Sequence, residues 1–301
     1  MWRAARLGLV ALGLCSACLP AETRPPPGEL TLTATADPAV LAPIATADGW
    51  SVSFDRILMS IGFLTLGKSD DCDSYAGANY GRLLDFGRSE PQRVGAVYAI
   101  GRCDVGFALA EPPPNTVLGA GVSAADLSFM REKGSDKYAS DRAISFFVAG
   151  TAARSGKTKT FHFALRRALV YEECRAPDGQ APTVALGSDE SVAFDLRVRA
   201  QALLQDDLDD QVAKLAFDPF ARADDEAGDR DGEVTLDELG KLPLGELGKA
   251  SGAWATDTSK WKSFRDYLYL GLAPTVLRFE GTGRCAHRSG APKSGMGGPM
   301  H

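Results

Sequence analysis

Leu30, Leu32 and Ala34 alternate with Thr31, Thr33 and Thr35, and Trp50, Val52 and Phe54 alternate with Ser51 and Ser53. A period of two sorts side chains onto the two faces of a strand, so both runs predict half-buried β-structure. Ile57 to Leu66 is almost wholly apolar, the pattern of a central strand covered on both faces. Val94 to Leu109 reads as a further strand, with Gly95, Gly101 and Gly106 as bulge candidates. Ala143 to Ala152 and Thr158 to Tyr171 flank Arg154-Ser155-Gly156-Lys157, a hairpin signal. The cleanest alternation is Val192, Phe194, Leu196, Val198 and Ala200 against Ala193, Asp195, Arg197 and Arg199. One short helix interrupts the strands: Ser123 caps Ala124 to Lys133, and Gly134 stops it.

The texture changes after residue 203. Residues 206–223 favour helix, 224–234 form an acidic loop, and Thr235-Leu236-Asp237-Glu238 fits a capping box opening another helix. A third helix is predicted within 256–270, from Asp257 through Trp261, Phe264 and Tyr267 to Leu270, before Thr275 to Glu280 returns to strand. Strands without a βαβ rhythm predict a mainly β fold, an antiparallel sandwich-like domain over 29–203. Residues 204–272 then read as a helical insertion near the C-terminus, 273–281 as the closing strand, and 282–301 as a disordered tail rich in Gly, Ser and Pro.

The 301 residues are 45% hydrophobic and 24% charged, which excludes wholesale disorder and a polytopic helical membrane protein. A net charge of −6 argues against nucleic acid as a partner. Arg3 and Arg6 precede the apolar run Leu7 to Leu14, and Ser16-Ala17 are small residues before a cut, which reads residues 1–17 as a secretory signal. With Cys18 next, the segment resembles the lipobox of bacterial lipoproteins, Cys15 standing where a Leu is usual. That resemblance implies lipidation at Cys18 and a membrane partner through the lipid anchor. Leu19 rather than Asp after Cys18 resembles outer-membrane retention; an ordinary secretory peptide cut nearby is the alternative. Pro20, Pro25, Pro26 and Pro27 make 18–28 an extended tether.

Cys72, Cys103, Cys174 and Cys285 remain beyond the leader. An even number in an oxidising compartment predicts two disulfides. Three pairings are open, and Cys72–Cys103 with Cys174–Cys285 is favoured because each joins segments at strand ends.

Charge is concentrated. Thirteen acids and three bases lie between Asp206 and Glu238, a net of −10 that leaves +4 elsewhere. At its centre, Asp229-Arg230-Asp231-Gly232-Glu233-Val234-Thr235-Leu236-Asp237-Glu238 resembles the second part of an EF-hand calcium loop. With Gly232 at loop position 6, the resemblance implies Asp229 at 3, Asp231 at 5, the Glu233 carbonyl at 7, Thr235 at 9 and Glu238 as the bidentate ligand at 12. Position 1 falls on Ala227, so the loop either lacks that ligand or is longer at the front, with Asp225 or Asp224 reaching back. The expected cofactor is Ca²⁺, held weakly at roughly 10⁻⁴–10⁻³ M as in extracellular modules. The insertion is then EF-hand-like, and a metal-free helix-capping loop is the alternative.

Other chemistry is weaker. Gly150 to Thr158 almost spells a phosphate loop but is one residue too long and sits in a hairpin signal, so no nucleotide is expected. No Gly-x-Ser-x-Gly elbow is present. His162 alternates with Phe161 and Phe163 and faces away from them. Cys285, His287, Met296, Met300 and His301 offer soft ligands only in the tail, and Trp50, Trp254, Trp261 and Tyr267 are explained by core packing. The resulting expectation is an exported, outer-membrane-anchored calcium-binding module rather than an enzyme, its biological task not written in the sequence. The alternatives are a secreted hydrolase using these acids, or an adhesion or assembly subunit.

Overall fold

The computed structural model describes residues 26–67, 71–135, 137–138, 140–180, 184–251 and 261–292. The predicted signal, Cys18 and most of the predicted tether lie outside these residues.

Gly28–Ala36 (β1) alternates buried and half-buried side chains along its whole length, as its Leu/Thr pattern requires. Ile44–Ala45 (β2) is a short antiparallel partner of Ser51–Gly67 (β3), the long apolar strand. Cys72–Ala76 (β4), Ala78–Asp85 (β5), Gln92–Leu109 (β6) and Val117–Leu118 (β7) follow. Then come the helix Ala124–Met130 (α1), Phe146–Arg154 (β8), Lys157–Leu165 (β9), Leu169–Arg175 (β10), Val184–Leu186 (β11) and Ser191–Val198 (β12). The acidic region carries the helix Asp218–Arg222 (α2), Glu233–Thr235 (β13), and the helices Leu236–Lys241 (α3), Leu244–Ser251 (α4) and Phe264–Asp266 (α5). Leu277–Phe279 (β14) and Arg284–Ser289 (β15) close the described chain.

These strands form a curled mixed sheet whose main path runs β13-β9-β8-β3-β6-β1-β12-β14. The fold is mainly β, but the sheet departs from an all-antiparallel design. β1 runs parallel to β12, β13 to β9 and β5 to β7. Alternation has the same period whichever way the neighbouring strand runs, so pattern alone does not distinguish the two pairings. The main core packs β1, β3, β6, β8 and β9 against aromatic residues of the acidic region, from Leu30, Ile57 and Phe163 to Phe217, Phe220 and Phe264. β3 is covered on both sides, as its apolar run predicts. Ile57, Met59 and Ile61 enter the main core, while Leu58 joins Leu83, Met130 and Ile144 beneath α1. The Ser123–Asp126 capping box holds α1 in place, and the helix ends at Met130, three residues before the predicted Lys133.

The hairpin turn lies where expected, with Ser155 and Gly156 at φ +48° and +80° between β8 and β9. The run Thr158 to Tyr171 is split into two strands rather than one. β12 and β14 are antiparallel neighbours, and the chain between them makes one circuit through the acidic region.

Two expectations change. The first part of 206–223 is a set of turns rather than helix. Asp206, Asp207 and Asp209 accept hydrogen bonds from the backbone N–H groups of Lys214 (2.7 Å), Asp209 (2.9 Å) and Gln211 (3.1 Å), and carboxylates spent locally compete with a helical ladder. The second is the tail. Arg284–Ser289 is strand β15, paired antiparallel with β10 and tied down by Cys285. Its side chains are mostly exposed, which removes the apolar alternation that would have signalled it. Residues 293–301 lie outside the described residues, as does the start of the helix predicted from Asp257. Both favoured disulfides form, Cys72–Cys103 between β4 and β6 and Cys174–Cys285 between β10 and β15.

Candidate metal centre

An aromatic stack sets the acidic turn against the sheet. Phe161 and Phe163 on β9 meet Phe217 and Phe220 at the start of α2, each cross-pair with ring centroids 5.7 Å apart. Phe264 of α5 closes edge-on against Phe220 at 4.7 Å. Aromatic pairs at these spacings add about 0.5–1.5 kcal/mol each beyond area burial, enough to fix where the helix begins. The carboxylate of Asp48 accepts from the N–H groups of Phe217 and Asp218, at 2.7 and 2.6 Å, satisfying donors that open the helix.

α2 continues into one π turn, Ala223–Ala227, and stops at Gly228. A side chain at Gly228 would lie 1.9 Å from Glu238 Oε1 and 2.9 Å from Asp224 Cα, so only glycine lets the returning Glu238 carboxylate reach this backbone. The turn reverses through Arg230 and Gly232, at φ +65° and +90°, and enters β13. Pairing with β9 anchors it: Gly232 C=O accepts from Thr160 N–H at 2.9 Å, and Val234, opposite Phe161, is fully buried.

Asp224, Asp229 and Asp231 each bring a carboxylate oxygen within 4.8 Å of the others. Asp229 Oδ1 accepts from Asp231 N–H (3.3 Å) and Asp231 Oδ1 from Glu233 N–H (2.7 Å), which orients both exposed side chains. Asp224 differs in having no exposed surface. Its Oδ2 accepts from Gly232 N–H (3.2 Å) and from the Lys159 ammonium, while its Oδ1 is buried with no hydrogen-bond partner. An orphaned carboxylate oxygen in the interior carries a desolvation cost of several kcal/mol unless a cation or donor meets it.

The remaining predicted ligands are placed differently. Asp225 Oδ1 is 2.6 Å from Lys159 Nζ, outside the three-acid group, and its C=O accepts from Arg230 Nε at 2.8 Å. It is thus Asp224 that joins Asp229 and Asp231. Glu233 turns its side chain away to His162, Oε1 to Nδ1 2.5 Å, leaving only its backbone for the turn. Thr235 and Glu238 form the predicted capping box: Glu238 Oε2 accepts from Thr235 N–H (2.8 Å) and Oγ1–H (3.1 Å). Glu238 Oε1 accepts from Asp229 N–H at 3.4 Å, so the carboxylate lies across the turn although outside the tight group. A cavity of about 220 Å³ opens beside the turn, lined by Asp229, Asp231, Glu238 and the basic Lys241, with Asp224 behind its wall rather than on it.

Lys159 is the residue that pattern reading missed. It occupies an inward position of β9, in register with Phe161, Phe163 and Leu165, and is 8% exposed. Burial acts to lower its ammonium pKa, but the hydrogen bonds and charges of Asp224 and Asp225 outweigh that and hold it above its ordinary value. A lysine on the apolar face of an alternating strand was the available signal.

The other candidates take structural places. Gly150 to Thr158 is the β8–β9 hairpin, Cys285 is oxidised, and Trp50, Trp261 and Tyr267 are core residues. Trp254, Met296, Met300 and His301 lie outside the described residues. Among the described residues no helix is long and apolar enough to cross a membrane. No protein-family model, curated protein or solved structure matches the chain.

Proposed function

We propose that the chain is an exported module, anchored through Cys18 to the outer membrane, whose acidic turn holds Ca²⁺ as a structural clip. The observation that carries this reading is that Asp224, wholly buried and with one carboxylate oxygen unpartnered, groups with Asp229 and Asp231. The donor set is all oxygen, which suits a hard cation. Asp224, Asp229 and Asp231 supply carboxylates, with Glu238 and the Glu233 carbonyl completing the shell. Such an ion fastens the end of the α2 helix, the β13 strand and the first turn of α3 to one another. The two disulfides accord with export. The chain is read as a binding module, with no catalytic role assigned to its acids.

The test is calcium titration of the mature chain, followed by calorimetry and by thermal melting. A dissociation constant of roughly 10⁻⁴–10⁻³ M is expected, so about 10 mM Ca²⁺ adds roughly 1.4–2.7 kcal/mol. Asp231→Ala, on an exposed side chain, removes the response. No heat and no rise in melting temperature for the parent chain up to about 10 mM would overturn the calcium assignment. Anchoring is read separately: Cys18→Ala shifts the protein from the membrane fraction to the soluble one, and unchanged fractionation counts against the lipid anchor.

A further inference from the structure

The calcium turn already contains a cation. Lys159 Nζ contacts Asp224 Oδ2 and lies 2.6 Å from Asp225 Oδ1, with its side chain only 9% exposed. It reaches the turn from β9, outside the loop and its flanking helices. The two oxygens of Asp224 are therefore used unequally: Oδ2 is taken by the ammonium and the Gly232 N–H, and Oδ1 is left over. A divalent ion arriving at Oδ1 shares its carboxylate with a fixed positive charge a few ångströms away.

We infer that Lys159 is a built-in counter-cation that sets the affinity of the turn, supporting Asp224 when no metal is bound and holding divalent binding down to the millimolar range. Two demands of the fold meet in one residue. A wholly buried aspartate with no cation would destabilise the metal-free protein, because removing one partner of a buried pair leaves an uncompensated charge. The same ammonium repels a second cation across a poorly screened distance. The protein thus keeps its shape without calcium and responds only where calcium is plentiful. The inference rests on the calcium reading above and adds what regulates that site.

The experiment compares Lys159→Met and Lys159→Arg with the parent chain, using CaCl₂ alone as the probe, with binding by calorimetry and stability by thermal melting in chelator and in 10 mM Ca²⁺. Removing one unit charge at this range corresponds to at least about a tenfold gain in affinity. Lys159→Met is expected to bind Ca²⁺ at least about tenfold tighter, to melt below the parent in chelator, and to recover most of that loss in calcium. Lys159→Arg keeps the charge and should stay within about threefold of the parent affinity. Parent binding with no tightening in Lys159→Met overturns the inference and leaves the calcium reading standing. Binding by Lys159→Met alone overturns both, because the parent turn then has no millimolar affinity for Lys159 to set. Absence of binding in both removes both. Should Lys159→Met not fold, Lys159→Gln is examined in the same way; failure of both to fold even in 10 mM Ca²⁺ overturns the inference, since calcium then does not substitute for the ammonium.

Discussion

Gly228→Ala perturbs the turn by displacing the Glu238 carboxylate while leaving every acidic residue in the sequence. The backbone there, φ −95° and ψ −158°, is open to any residue, so conformational preference is not at issue. The cost is steric. The new methyl would stand 1.9 Å from Glu238 Oε1, 2.6 Å from Glu238 Cδ and 2.9 Å from Asp224 Cα. The first two contacts are relieved by expelling the Glu238 side chain, at the loss of its hydrogen bonds to Thr235 and Asp229. Losing a capping interaction costs about 1 kcal/mol. The third contact is with backbone and cannot be rotated away, and overpacking of this kind costs about 1–3 kcal/mol. The sum is roughly 2–4 kcal/mol, or a fall in melting temperature of roughly 4–15 °C for a chain of this size. Thermal unfolding followed by circular dichroism, with and without 10 mM Ca²⁺, reads both the loss and the calcium response, which should vanish. Gly156→Ala is the control. Its φ is +80° with nothing within 4 Å of the new Cβ, so it carries only the left-handed penalty of about 1 kcal/mol. If Gly228→Ala melts within about 1 °C of the parent and still responds to calcium, the packing of Glu238 against this backbone is not as described.

Asp210 joins Arg199 (3.3 Å), Arg278 (2.7 Å) and Arg284 (3.1 Å); burial pushes its carboxyl up, but the Gln205 hydrogen bond and the Arg278 and Arg199 charges win and hold it at about 2. A depressed carboxyl stabilises above its unfolded value near 3.8 and loses that contribution as pH falls towards 2, so Asp210→Asn, discounted for solvent screening, should cost about 1–2 kcal/mol at pH 7 and progressively less below pH 4. A gap that stays constant from pH 7 to pH 2 in urea titrations would contradict this. The Cys174–Cys285 bridge spans 111 residues and Cys72–Cys103 spans 31, so replacing the first pair by serines should cost about 1 kcal/mol more than replacing the second, read from urea midpoints; the reverse order would refute the loop-entropy argument. Asp218→Ala strands the buried Trp50 indole N–H, bonded at 2.8 Å, and should cost about 1–3 kcal/mol in thermal melts. Asp218→Asn keeps an acceptor and should recover at least half of that loss; no recovery would assign the effect to the Arg154 ion pair at 2.6 Å instead.

What was legible in the sequence and what was not divide along a physical line. The runs Leu30 to Ala34, Trp50 to Phe54 and Val192 to Val198 report which face of a strand meets the core, and β1, β3 and β12 follow them. The parallel pairing of β1 with β12 is a property of two strands more than 150 residues apart, on which local periodicity is silent. β15 carries no apolar face, so it is held by a disulfide and a ladder rather than by a pattern. The acidic turn shows the same division at the scale of single residues. Asp229, Asp231, Gly232 and the Thr235–Glu238 box lie where spacing puts them, because that stretch has one backbone course. Counting backwards from Gly232 puts position 1 on Ala227, the last residue of the π turn Ala223–Ala227, which has no ligating side chain. Of two adjacent acids, the wider turn sends Asp224 inward with no exposed surface and leaves Asp225 with a side chain 45% exposed, a choice made by helix phase rather than by composition. Lys159 enters from a strand some 65 residues earlier and meets Asp224 only because β9 and β13 run parallel in one register. The course of the acidic turn set by local spacing could thus be read from the sequence, while the charge balance that Lys159 brings to it depends on how distant segments pack.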